Sequence, residues 1–261
     1  MWSIIGPYVK LTALDSLQIA FFRCLICVAF FIFLIKPKNI NFHPLMISMS
    51  LSFAVMNVTF ISAMKFTTAA NASILQYLAP LWVAIGSVYI IKESIKKNEF
   101  ISLGLGMIGA LYILYHTDPG STLGVGLALG AGVCYASVIL HFKLLKDYST
   151  VWLNFLNLVA ATAVLSPFYF QGTIQNPSTE EFFYLTIFSI FQFAIPYMLI
   201  GYAIKKFSPV KVGVFTLLEP ILTALLTWWI VHEEPGIPTI IGGCFIFMGL
   251  LFNLKPNKKS I

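Results

Sequence analysis

Charge is scarce along this chain: 10% of its 261 residues are Asp, Glu, Lys or Arg, where a soluble domain carries about a quarter. So small a share points away from water as the main solvent. Cysteine is scarce as well. Cys24, Cys27, Cys134 and Cys244 all lie inside apolar runs, which fits packing and excludes a disulfide framework or a zinc site. No HExxH, GxSxG or phosphate-cradling glycine loop occurs, and no two acids share the depth of an apolar run. The histidines His43, His116, His141 and His232 stand alone near the ends of such runs, without metal-ligand spacing. An enzyme is therefore not expected, and neither a metal nor a cofactor is implied. No polar stretch is long enough for a separate soluble domain.

What is there is apolar sequence: 59% of the residues are hydrophobic and the mean hydropathy is +0.88. Apolar runs extend from Leu17 to Ile35, Pro44 to Met64, Thr68 to Ile91, Phe100 to Tyr115, Leu123 to Leu140, Val151 to Phe170, Phe182 to Ile204, Ser208 to Val231 and Pro238 to Leu254. Each matches the roughly 20 residues a bilayer-crossing helix requires. A further piece, Met1 to Val9, is about half that length. The net charge of +6 is spread over the ends of these runs and forms no patch for nucleic acid. Threading the runs alternately through a membrane collects Lys36, Lys38, Lys92, Lys96, Lys97, Lys143, Lys146, Lys205, Lys206, Lys211, Lys255, Lys258 and Lys259 on one side, with Lys10 and Lys65 opposite. Cytoplasmic loops gather Lys and Arg, so the C-terminus is expected in the cytoplasm.

The chain also repeats itself. A shift of 140 residues lays Phe53 on Phe193, Ala63 on Ala203, Lys65 on Lys205, Pro80 on Pro220, Glu93 on Glu233 and Gly109 on Gly249. With five spans per repeat, the halves enter the membrane in opposite directions, an architecture that places a transporter's substrate site near midplane between them. The expected organisation is a first repeat over 1–116, a second over 123–254 and a cytoplasmic tail over 255–261. A shift of 133 pairs Trp2 with Tyr135 and Lys10 with Lys143, but the second repeat has LGVGLALGAGVC before Tyr135 where the first has only Met1. The first helix is thus expected to lack its cytoplasmic half.

The segments AFFRCL, FTTAANASILQYLAPLWVAI followed by KES, and FTLLEPILTALLTWWIVHEE resemble the EamA domains of the drug/metabolite transporter superfamily. The resemblance covers nearly the whole chain. It implies an all-α polytopic membrane protein of about ten transmembrane helices in two inverted five-helix repeats, exporting small metabolites or amino acids by alternating access. The chain departs from the family pattern in its short first span and in His232, which stands where Gly often precedes the glutamate.

Glu219 lies about eleven residues, or about 16 Å, into its span. A carboxyl near midplane costs on the order of 3 kcal/mol or more against lipid, so it should face the bundle interior, accepting a proton or balancing a cationic substrate. Its counterpart is Ala79. Pro80 and Pro220 occupy matching midspan positions and should kink both helices, with Pro196 as a further hinge. Ser73, Gln76 and Ser87 on one kinked helix, and Thr216, Thr223 and Thr227 on the other, form polar stripes that line a cavity or tie helices together. The matched pairs Trp2 with Tyr135 and Asn57 with Tyr197 are candidates to contact substrate, with packing as the alternative. Arg23 sits near the outer end of its span, where its stem can snorkel outward or join helices, and a pairing with Glu219 is open. Glu93 and Glu233 suit the N-terminal dipole of the following helix. Gly104, Gly109, Gly126, Gly130, Gly242 and Gly249 offer small surfaces for helix contact. The partners expected are a small-molecule substrate, the lipid bilayer and, as an option, a second copy in a homodimer. An uncoupled facilitator and a flippase for a lipid-linked metabolite remain alternatives to a proton-coupled exporter.

Overall fold

Several helices begin where a short polar side chain replaces a missing backbone partner. Asp15 accepts hydrogen bonds from the N–H groups of Leu17 (2.7 Å) and Gln18 (3.0 Å), while Gln18 accepts from the N–H of Asp15 (2.8 Å). Ser121, Ser149, Ser178 and Ser208 cap later helices in the same way. Backbone groups left unpaired near hydrocarbon cost several kcal/mol, so each cap lets a span start cleanly.

The structure, a computed structural model, describes residues 1–4, 8, 12–66, 69–76, 78–116, 121–232 and 236–254. After a 3-10 turn at Trp2–Ile4 come α1 (Ser16–Ile32), α2 (Leu45–Phe66), α3 (Ala69–Gln76), α4 (Ala79–Gly86), α5 (Lys97–Tyr115), α6 (Thr122–Leu144) and α7 (Thr150–Phe170). They are followed by α8 (Thr179–Phe188), α9 (Ile195–Lys206), α10 (Pro209–Thr216), α11 (Leu218–Val231) and α12 (Ile237–Leu254). Wider π-helical turns at Ser87–Ile91 and Ser189–Ala194 extend α4 and join α8 to α9. Among the described residues there is no β-strand.

Four helical runs, Lys97–Tyr115, Thr122–Leu144, Thr150–Phe170 and Thr179–Lys206, are long and apolar enough to cross a bilayer, with shorter apolar helices beside them. The outer surface is apolar. Phe33, Tyr89, Tyr115, Phe170 and Trp229 are each at least three-quarters exposed at or near helix ends, where aromatic residues of membrane helices commonly gather.

Two expected spans are broken. The run from Thr68 to Ile91 divides into α3 and α4 around Leu78, and that from Ser208 to Val231 divides into α10 and α11 at Leu217. In a continuous helix the nitrogens of Pro80 and Pro220 would bond to the carbonyls of Gln76 and Thr216; proline has no N–H to give, and both breaks fall within that turn. At Pro196 the chain widens into the π turn and then resumes as helix. The two broken runs also end alike: Lys92 (φ 59°) and His232 (φ 58°) are the non-glycine residues with left-handed backbone among those described. They lie 140 positions apart, which also explains why glycine suits the place of His232.

The packing pairs α5 with α12, α2 with α6 and α7, and α1 with α7 and the Ser189–Ala194 turn. α3 and α4 lie against α6, α4 also meets α10, and α11 rests on the Trp2–Ile4 turn. Between α5 and α12 the glycines act reciprocally. A side chain at Gly109 would strike the carbonyl of Gly242, and one at Gly249 would come within 2.7 Å of the carbonyl of Ser102. Among the described residues nothing lies within 4 Å of that position at Gly104, Gly126 or Gly130, so no contact through Gly126 and Gly130 forms there; Gly106, Gly132 and Gly201 are tightly packed in their place.

At the end of the molecule where α4, α6 and α9 finish, Lys143 pairs with Glu93 (3.5 Å) and donates to the carbonyl of Phe207 (3.3 Å). The helix-start role expected of Glu93 is taken by Glu99, which accepts from the N–H of Lys96 (3.1 Å) and from the hydroxyl of Ser208. Glu93 lies two residues beyond the Ser87–Ile91 turn that ends its helix and four before Lys97, the first residue of α5.

Candidate functional site

Six of the helical elements and two turns converge on one central cavity. It is lined by Trp2, Arg23, Met56, Asn57, Phe60, Ser73, Gln76, Tyr135, Gln192, Phe193, Tyr197 and Glu219, and the space open to the centre of a water molecule is about 90 Å³. At about 15 Å³ per water this holds several waters or a small solute. The broken spans explain why polar groups gather here. Gln76 is the last residue of α3 and Glu219 the second of α11, so both stand at the interruptions, where backbone groups are already freed from helix bonding. α6 comes close to this break because Gly132 carries no side chain: a Cβ there would lie 3.2 Å from the Gln76 carbonyl.

One wall is aromatic. Tyr197 meets Phe193, Phe53 and Trp2 edge-on, with ring centroids 4.9, 5.1 and 5.3 Å away, and Trp2 meets Tyr135 at 6.3 Å. The matched residues Trp2 and Tyr135, like Phe53 and Phe193 at 6.1 Å, therefore meet each other across the centre of the molecule. The N-terminal turn is held against this wall: Gln192 donates through Nε2 to the carbonyl of Trp2 (3.3 Å), and Ser3 donates to the carbonyl of Glu219 (3.3 Å). Asn57 donates back to the carbonyl of Phe53 (2.8 Å), one turn earlier on its own helix.

Of the residues singled out from sequence, Glu219, Gln76, Asn57, Tyr135, Tyr197, Trp2 and Ser73 line this cavity. Thr216 does not line it: its hydroxyl donates to the carbonyl of Gly213 (2.7 Å), the local bond that Thr readily makes inside a helix. The side chains of Pro220, Thr223 and Thr227, together with Tyr77, Glu233 and the tail 255–261, lie outside the described residues. Pro80 is buried beside Gly213 and is not among the residues that line the cavity.

Arg23 departs most from the sequence-based expectation. It does not snorkel outward: it is 7% exposed, lines the cavity, and rests its guanidinium over the ring of Phe193, Cζ to centroid 3.9 Å. Gln192 was missed altogether. Its repeat counterpart is Ser52, so the comparison of halves drew no attention to it, and a lone Gln in an apolar run was the signal available. Cys24 and Cys27 are buried and unbridged, Cys27 donating weakly to the carbonyl of Ser189 (3.3 Å).

Described elements that are all helical, an apolar exterior and a central cavity that carries Arg23, Gln76, Gln192 and Glu219 fit a multi-pass membrane transporter. The comparisons make this specific: the chain belongs to the EamA-like transporter family, whose sequence pattern matches residues 1–115 and 122–255. An uncharacterized transporter of Archaeoglobus fulgidus is 26% identical over 269 aligned positions, covering 95% of this chain and 91% of the relative. An S-adenosylmethionine uptake transporter of Rickettsia prowazekii is 23% identical over 259, covering 96% and 86%. A solved crystal structure shares the fold with a TM-score of 0.85 at 16% identity, over 99% of this chain and 95% of that one. The family and these relatives are transporters and not enzymes, which sets a small-molecule substrate and a membrane environment.

Proposed function

We propose that the protein is a secondary transporter of ten spans, built as two inverted five-helix repeats over 1–116 and 123–254 with its C-terminus in the cytoplasm, that exports a small polar or amphipathic metabolite across the cytoplasmic membrane by alternating access. The observation that carries this reading is the cavity itself, which draws residues from both halves and holds Glu219 at a helix break. The reciprocal Gly109–Gly242 and Gly249–Ser102 contacts, the two left-handed helix ends spaced by 140 residues and the two breaks just ahead of the matched prolines support the inverted repeat.

In this reading Glu219 binds a proton or the substrate's cationic end alternately, which links occupancy of the site to the conformation of the bundle. Gln76, Asn57, Ser73, Trp2, Tyr135 and Tyr197 contact the solute, Thr216 and Thr223 flank Glu219 from either side of the break between α10 and α11, and Pro80, Pro220 and Pro196 act as hinges. Uptake, as in the name of the Rickettsia prowazekii relative, is the competing direction.

The test is flux in vesicles. With purified protein in proteoliposomes loaded with a labelled metabolite mixture, an imposed pH gradient should speed efflux by the wild type. Glu219→Gln should lower that flux tenfold or more and remove its dependence on pH. A variant that retains wild-type, pH-sensitive flux takes Glu219 out of the mechanism, and pH-independent flux by the wild type assigns an uncoupled facilitator.

A further inference from the structure

Among the described residues that line the cavity, Arg23 is the one cation and Glu219 the one acid. Arg23 reaches the cavity from α1, seven residues beyond the helix start, and is more than nine-tenths buried. The flat face of its guanidinium is covered by Phe193. That contact leaves the edge, where all five N–H donors of the group lie, and Nε has no hydrogen-bond partner among the described residues. A permanently charged group taken out of water needs an anionic or strongly accepting partner. On the same wall Gln192, 3% exposed, spends its amide nitrogen on the carbonyl of Trp2, while its buried Oε1 likewise has no partner. The cavity thus presents an unused Nε–H donor and an unused acceptor, both on or beside the Ser189–Ala194 turn.

We propose that Arg23 is the anion-recognising residue of this cavity and that the transported solute carries a carboxylate, which docks edge-on against the guanidinium. The inference rests on the transporter reading above and names the substrate class within it. The planar fork of arginine matches a carboxylate through two parallel N–H···O bonds. A phosphate dianion fits less well, because among the described residues one guanidinium is the only positive charge lining a cavity that also contains Glu219. The cavity volume of about 90 Å³ suits a small acid. Gln192 Oε1 accepts from an N–H or O–H donor on the same molecule, and the rings of Trp2, Tyr135 and Tyr197 enclose its apolar part. α-Amino and α-hydroxy acids satisfy all three requirements. Lysine at position 23 would keep the charge but lose the fork, so carboxylate recognition should suffer even where charge is conserved.

The experiment is counterflow in proteoliposomes with matched probes: a panel of small α-amino and α-hydroxy acids, their primary amides, and small phosphate monoesters. Wild-type protein is expected to exchange acids at least tenfold faster than the corresponding amides and phosphate esters. Arg23→Gln should abolish that preference, the ratio of acid to amide exchange falling tenfold or more, and Arg23→Lys should fall between the two. Thermal stabilisation by a transported acid, present in wild type and lost in Arg23→Gln, gives a second readout. If the variant does not fold, the acid-to-amide preference of the wild type decides alone. Equal exchange of acids and amides, or faster exchange of amides or phosphate esters, overturns the carboxylate assignment and leaves the transporter standing. No exchange of any probe, nor of the metabolite mixture used above, removes the transporter reading and this inference with it.

Discussion

Gly109 and Gly130 look alike in the sequence, each in an apolar run, yet the fold treats them differently. Gly109 is pressed against backbone, the carbonyl of Gly242 and the N–H of Ile246, and backbone cannot move aside as a side chain can. Gly109→Val should therefore destabilise the protein by about 1–3 kcal/mol, the usual cost of overpacking, seen as a lower midpoint of thermal unfolding in detergent. Gly130 faces open space within its helix. Gly130→Ala should be neutral or should stabilise by about 0.4–1 kcal/mol, because alanine has less backbone freedom to lose. A large loss in the second variant would revive a helix contact through Gly126 and Gly130. Arg23 and Thr216 make a similar point: both were visible as polar residues in apolar runs, but rotation about the helix axis sent one into the cavity and the other into a bond with its own backbone.

The elements that matter most are the interrupted ones. Proline was legible at positions 80 and 220, and the break it causes follows from local chemistry alone, since the missing N–H strands the carbonyl four residues earlier. How the stranded turn is used depends on neighbours. At Gln76 the bare surface of Gly132 lets α6 approach, and the turn opens onto the cavity. Pro80→Ala returns a donor to the Gln76 carbonyl and should straighten α3 and α4 toward one rod. Folding should survive, as judged by an undiminished unfolding midpoint, while counterflow falls tenfold or more because the hinge is stiffened. Undiminished transport in that variant would reduce Pro80 to a packing residue. At Pro196 the same residue type gave a widened turn instead of a break, which the sequence did not distinguish. The acid that secures the start of α5 was likewise misassigned to Glu93, because reaching an N–H three residues away depends on where the helix begins, and it begins four residues later.

At the scale of the whole molecule, the lysine distribution predicts which loops share a side of the membrane. Single cysteines placed at Gly172 and at Asn98 in a cysteine-free background should label with a membrane-impermeant maleimide from opposite faces, Gly172 in intact cells and Asn98 after lysis. The same face for both would undo the threading of an odd number of spans between the two sites and, with it, the opposed orientation of the halves.

Composition and pattern alone determined the solvent of this protein, the number and place of its apolar runs, its two prolines at depth and its internal repeat. These are one-dimensional properties, because hydrocarbon demands a minimum length of apolar helix and proline acts on its own turn. The tertiary structure decided which polar side chains share a space: it turned Arg23 inward, added Gln192 and set Thr216 aside. Residues from eight separate segments meet at the cavity, and the angle at which each helix faces its neighbours depends on how closely they pack, which for Gly109, Gly132 and Gly249 is a matter of single missing side chains.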